Sequence, residues 1–224
     1  EIGLAFDGDA DRCFAVDEKG MAVSPSALAA IVSIREIERV KQLGETDITI
    51  LHNLLTSKVV EERIAEAGAT PVRTKVGHSL IKEQMAQTGA VFGGEHSAHY
   101  YFRDFWGADN GMLAALHLIS ELGTYQGSMS QLSNSFSPYF SSGEINSTVT
   151  DVPAARARIE EAFKERASFD HLDGVTVSGT DSQGDWWWFN VRASNTEPLL
   201  RLNVEAKAKA SMEAIRDEVL GLIL

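Results

Sequence analysis

Between residues 48 and 93 three short apolar stretches are separated by two helix-length segments, and this alternation restricts the fold more than any other feature of the chain. A strand over 48–51 leads to a helix over 58–67 that stops at Gly68. A strand over 71–75 leads to a helix over 79–88 that stops at Gly89, and a third strand covers 90–93. Repeated strand–helix–strand units need crossover connections, which dictate a mostly parallel sheet with helices on both faces. A preceding helix over 26–42 has Pro25 in its first turn and Leu28, Ile31, Ile34 and Ile37 among its apolar positions. A further helix over 110–122 closes this α/β domain at Gly123.

The stretch 124–142 is rich in Ser, Gly and Asn, contains Pro138 and has weak periodicity, so a domain boundary belongs there. The α/β domain then covers 25–135, and a smaller α+β domain with an antiparallel sheet covers 140–224. Its order is a strand over 144–148, a helix over 153–166, strands over 175–177, 186–191 and 200–205, and a helix over 211–224. Met212, Ile215, Val219 and Leu222 form an apolar stripe on that last helix. Residues 1–24 give two strands around an acidic loop, a hairpin too small to fold independently. Because 2–6 already reads as a buried strand, its sheet neighbours are expected from elsewhere, and the sequence reads as a fragment.

The 20 basic and 32 acidic residues give a formal charge of −12, which argues against nucleic acid or an anionic membrane as the main partner. No apolar run reaches the roughly 18 residues a membrane span needs, and no leader-like segment opens the chain, so a soluble, cytoplasmic protein is expected. The lone Cys13 reads as a small buried hydrophobe. Trp186, Trp187 and Trp188 fall in a strand and are expected to alternate between faces. His117, within an apolar helix, reads as a packed histidine, and Arg201 as one half of a surface ion pair.

Three polar loops carry chemistry. Asp7-Gly8-Asp9-Ala10-Asp11-Arg12 places three alternating carboxylates on a tight turn between strands, a donor set suited to magnesium. An EF-hand calcium loop begins the same way and even finds Glu18 at its twelfth position, but Arg12 stands where its sharp turn needs Gly and the flanks are strands. A phosphotransferase of the haloacid dehalogenase kind, with Asp7 as nucleophile and Asp9 as acid/base, is the runner-up, and a solvated acidic turn is the plain alternative.

Gly94-Glu95-His96-Ser97-Ala98-His99 follows a strand, where open α/β sheets bind ligands, and Glu95 with Ser97 can read a sugar diol. Metal binding by His96 and His99 is a lesser alternative that lacks a clear third ligand, and a polar turn is another. Arg192-Ala193-Ser194-Asn195-Thr196-Glu197-Pro198 joins two apolar strands and offers a guanidinium, hydroxyl and amide donors and turn N–H groups for an anion such as phosphate. A polar hairpin with Arg192 paired to Glu197 is the alternative.

Together, and in this order and separation, the three strings resemble the metal, sugar and phosphate loops of the α-D-phosphohexomutase family, most nearly its bacterial phosphomannomutase/phosphoglucomutase members. The resemblance covers essentially the whole chain, including Lys75-Val76-Gly77-His78-Ser79-Leu80-Ile81-Lys82. It implies that residues 1–24 are the end of the family's second domain, 25–135 its third and 140–224 its fourth. It also implies that Asp7, Asp9 and Asp11 hold Mg2+ beside a phosphoserine, with Arg12 near the transferring phosphoryl group. Glu95 and Ser97 would hold the sugar's 3- and 4-hydroxyls. Arg192, Ser194, Asn195 and Thr196 would bind the other phosphate of a mannose or glucose phosphate, and Gly77 and His78 would line the same cleft. His78 is a candidate proton carrier, with a purely structural role as its alternative.

Two departures stand out. No Ser-His-Asn-Pro loop of the kind that carries the family's phosphoserine occurs here, so the isolated chain is expected to be inactive without the N-terminal domains. In His52-Asn53-Leu54-Leu55-Thr56-Ser57-Lys58, Asn53 and Leu55 replace an Asp and a substrate-facing Lys of some relatives, which leaves sugar contact from this loop in doubt. A non-catalytic sugar-phosphate-binding module is the alternative to a mutase.

Overall fold

In the computed structural model, which describes residues 1–194 and 199–223, Gly3–Phe6 (β1) and Cys13–Val16 (β2) pair antiparallel around the acidic loop. Leu4 lies opposite Ala15 and Phe6 opposite Cys13. Cys13 and Ala15 are buried, whereas Phe14, on the other face of the pleat, is exposed. Next comes Pro25–Gln42 (α1), whose first turn is capped by the Ser24 side chain. Thr49–Asn53 (β3), Lys58–Glu66 (α2), Thr70–Thr74 (β4), His78–Thr88 (α3) and Phe92–Gly94 (β5) follow as the alternation predicts.

The sheet then continues in a way the pattern does not announce. Tyr100–Phe102 (β6) adds to β5 and Ala108–Asp109 (β7) to β6, both in antiparallel sense, giving the strand order β4-β3-β5-β6-β7, parallel from β4 to β5 and antiparallel beyond. Both added strands are too short for periodicity to reveal. Gly111–Thr124 (α4), N-capped by Asn110, and Met129–Ser135 (α5), opened by a Ser128/Gln131 capping box, complete the first of two compact units, Glu1–Pro138. Successive residues of β5 show that helices cover both sheet faces. A Cβ on Gly93 would meet Ile81 of α3 at 3.0 Å, and one on Gly94 would meet Ala29 of α1 at 2.8 Å.

The second unit, Tyr139–Leu224, is built from Phe140–Thr148 (β8), Val152–Phe163 (α6), Ala167–Asp170 (β9), Val175–Thr180 (β10), Trp186–Ala193 (β11), Leu199–Ala206 (β12) and Lys209–Ile223 (α7). All its pairings are antiparallel, in the order β8-β12-β11-β10-β9, so it has one strand, β9, more than expected. Trp187, Phe189 and Val191 point inward against Ile159 and Phe163 of α6 and Ile215 and Val219 of α7. Trp188 faces the other way, and its indole N–H donates to Glu205 at 2.9 Å. Among the described residues no helix is long and apolar enough to cross a membrane.

Candidate functional site

The acidic loop is held shut by its own backbone and by the start of α4. Ala10 N donates to Asp7 O, and Ala10 takes a left-handed φ of 59°, a conformation that costs a non-glycine residue about 1 kcal/mol. Gly111 N donates to Ala10 O, and a Cβ on Gly111 would fall 2.5 Å from Arg12 O, so only glycine lets the helix approach this closely. One carboxylate oxygen from each of Asp7, Asp9 and Asp11 can be chosen so that all lie within 4.8 Å of one another. Arg12 donates from Nε to Asp7 Oδ2 at 2.6 Å and from its backbone N–H to Oδ1 at 3.2 Å, which holds the Asp7 carboxyl down at about pKa 2. Burial, followed by the nearby Asp7 carboxylate, pushes Asp11 upward. Asp11 Oδ1 is buried and has no hydrogen-bond partner among the described residues. Three convergent carboxylates with one orphaned oxygen fit a hard divalent cation.

Glu95 follows β5 and is buried, with its carboxylate suspended from three sides. Tyr101 Oη donates to Oε2 at 2.8 Å, Gly77 N to Oε1 at 3.3 Å and Asn53 Nδ2 to Oε1 at 3.4 Å. Gly77 has a φ of 137°, a region that only glycine enters freely, and this turn aims its N–H at Glu95. His78, the first residue of α3, is exposed beside it. Ser97 Oγ lies 2.9 Å from His99 Nδ1, and His99 reaches both loops, with Nδ1 3.6 Å from Glu95 Oε2 and Nε2 3.9 Å from Asp11 Oδ1. The acidic and Glu95 loops are tied further by Cys13 N donating to Ala98 O and by a bridge between Arg12 and His99. His96 instead lies 2.9 Å from Ser26 Oγ.

Thus Asp7, Asp9, Asp11, Arg12, Gly77, Glu95 and Ser97 belong to one neighbourhood of the first unit. The two histidines of the loop part company. Asn53, Tyr101 and His99 join this neighbourhood, and sequence reasoning gave them no role in gripping a sugar. Only for His99 was a signal present, since Glu95, Ser97 and His99 recur at every second residue.

In the second unit Arg192 is the penultimate residue of β11. Its guanidinium is mostly buried, with Nη1 3.9 Å from Asp173 Oδ2 and Nε without a hydrogen-bond partner among the described residues. Gly174, with a φ of 70°, lets the chain pass close beneath it, where a Cβ would meet Val191 O at 2.4 Å. Ser194 N donates to Leu199 O at 2.8 Å across the base of the loop. Asn195 and Thr196, and with them Glu197, lie outside the described residues.

Comparison with known proteins bears on both units. The family model of the phosphoglucomutase/phosphomannomutase α/β/α domain III matches residues 24–139, and that of the phosphoglucomutase/phosphomannomutase C-terminal domain matches 144–222. A phosphomannomutase of Salmonella montevideo is 40% identical over 227 aligned residues, which cover all of this chain and 47% of that protein. A phosphoglucomutase/phosphomannomutase family protein of Burkholderia thailandensis superposes with a TM-score of 0.83 at 27% identity, over 99% of this chain and 46% of that one. An N-acetylphosphoglucosamine mutase of Aspergillus fumigatus, solved with GlcNAc-6P and magnesium, shares the fold at a TM-score of 0.68 and 12% identity, over 100% of this chain and 48% of that one. The chain therefore spans about half the length of the relatives it matches.

Proposed function

Since the chain belongs to the phosphoglucomutase/phosphomannomutase family, we propose that the protein it comes from interconverts hexose 1-phosphate and 6-phosphate, of mannose or glucose, through a bisphosphate in the cytoplasm. The observation that carries this reading is the junction of the acidic loop with the Glu95 loop. A cation site and a diol grip meet there, with His99 between them. In this proposal residues 1–24 end the family's second domain, 25–135 form its third and 140–224 its fourth, and the donor phosphoserine comes from upstream domains.

Asp7, Asp9 and Asp11 would hold Mg2+, as a magnesium complex of a structural relative encourages. Bound there, the ion would offset charge on the transferring phosphoryl group. Arg12, anchored through Nε on Asp7, keeps its terminal nitrogens for phosphoryl oxygens. Glu95 accepts hydrogen bonds from two neighbouring sugar hydroxyls, and Ser97 takes one of them. Gripping carbons 3 and 4 lets the sugar present either end to one donor, because a half rotation roughly exchanges those positions. Arg192, Ser194, Asn195 and Thr196 would bind the phosphate that is not being transferred. When a sugar hydroxyl attacks phosphorus, its proton must leave. His99 is better placed to take it than the exposed His78, since His99 already lies between the grip and the metal loop. An aspartyl-phosphate route at Asp7 finds less support, because both of its oxygens accept from Arg12.

In the intact protein Asp9→Asn should lower mutase turnover at least about a hundredfold while leaving the fold unchanged. The 224-residue chain alone should show no turnover. Full activity of the Asn variant in a coupled hexose-phosphate assay would sink the reading.

A further inference from the structure

We infer that this chain holds a second divalent-cation site, formed by Asp11, His99 and Asp109, that takes an ion of the zinc class. The three residues come from the acidic loop, from the loop before β6 and from β7. One ligand atom from each can be chosen so that all lie within 4.8 Å of one another.

The imidazole of His99 lies between the two loops. Its Nδ1 lies 2.9 Å from Ser97 Oγ and 3.6 Å from Glu95 Oε2, so an ion on Nε2 would leave the ring proton on Nδ1, where the Ser97 hydroxyl can accept it. Nε2 lies 3.9 Å from Asp11 Oδ1, the buried oxygen without a hydrogen-bond partner among the described residues. That separation is too long for a hydrogen bond. The gap suits a cation bonded to both at about 2.0–2.1 Å. Asp109, with nine-tenths of its side chain buried, supplies the third donor. A metal-binding histidine whose other nitrogen is fixed by a hydroxyl or carboxylate is the usual supporting arrangement. Nitrogen mixed with oxygen favours zinc over magnesium, which prefers oxygen alone. The opposing charges are Arg12, whose Nε lies 4.0 Å from Asp11 Oδ1, and Lys82, whose Nζ lies 2.6 Å from Asp109 Oδ1 and would give way to the ion.

Asp11 then belongs to both cation sites, and zinc bound here would also occupy His99. Its expected consequence, inhibition by zinc that added magnesium relieves only in part, rests on the proposed mutase function. Zinc binding itself does not.

Calorimetric titration of the protein with zinc chloride in excess magnesium tests the site. One zinc should bind, with an affinity kept in Asp9→Asn and reduced at least about tenfold in Asp109→Asn and in His99→Gln. Lys82→Met, which retains all three donors, should bind zinc more tightly, a gain that misfolding cannot produce. Crystals soaked in zinc should show an anomalous peak within bonding distance of His99 Nε2. No zinc uptake by either the natural protein or Lys82→Met, or an affinity that falls with Asp9→Asn but not with Asp109→Asn, would overturn the inference. Failure of the mutase reading shows in turnover of the Asp9→Asn protein instead, so the two failures are separable.

Discussion

At the scale of single residues, Glu95 shows how a buried carboxylate is held by polar partners. Buried without partners it would be costly, and three donors hold it in place. Asn53 answers the question raised by its departure from relatives. Its Oδ1 accepts from Leu55 N and His96 N while its Nδ2 donates to Glu95, and an ionised aspartate could not make that last bond. Tyr101→Phe removes the shortest of the three bonds, and bonds to charged groups contribute about 1.5–3 kcal/mol. In the intact protein that change should lower kcat/KM for hexose phosphate at least about tenfold, without a comparable loss of magnesium affinity. An unchanged kcat/KM would leave Tyr101 as packing alone. The acidic triad was legible because its donors are contiguous in sequence. Asn53 and Tyr101 were not, since each joins Glu95 from a different strand.

At the scale of elements, the inner strand β3 carries a second buried polar group, His52. Thr56 Oγ1 donates its one proton to Asn53 O, so it must accept from His52 Nδ1–H at 2.8 Å. Burial, together with nearby Arg73, lowers the His52 pKa from 6.5 to about 4. The unfolded chain therefore binds this proton first as the pH drops. The stability associated with His52 is complete above pH 6.5 and is lost progressively towards pH 4, by roughly 3 kcal/mol at most. His117, also lowered by burial and stacked on Phe102, acts in the same sense. Urea unfolding at pH 7 and pH 4.5 should show this loss in the natural chain and a smaller one in His52→Gln. A natural chain that gains stability on acidification relative to the variant would contradict it.

The helices bounded by Pro25, Gly68 and Gly89 were readable because caps and stops are local signals. The elements that escaped, β6, β7, β9 and α5, have between two and seven residues each, and tertiary pairing rather than periodicity makes them regular.

At the scale of the whole molecule, each unit has its own hydrophobic core, and in the second that core is continuous from α6 through β10, β11 and β12 to α7. Residues 139–224 expressed alone should melt cooperatively with a fixed near-UV tryptophan signal. Phe163→Ala, which empties the centre of the Trp187 and Phe189 ring cluster, should cost about 3–5 kcal/mol. A fragment with helical signal but no cooperative transition would show that the core is insufficient by itself.

Read by itself, the sequence determined the alternation of strand and helix, the change of pattern after residue 124 and which donors three polar loops offer, because periodicity, capping and runs of donors are properties of neighbouring residues. Only the tertiary structure decided that His99 reaches Asp11, that Tyr101 and Asn53 hold Glu95 and that Asp109 joins them. Those meetings require β6 and β7 to fold back beside β5 and α4 to close on the acidic loop. Such packing brings together groups that lie far apart along the chain, where no local pattern records them.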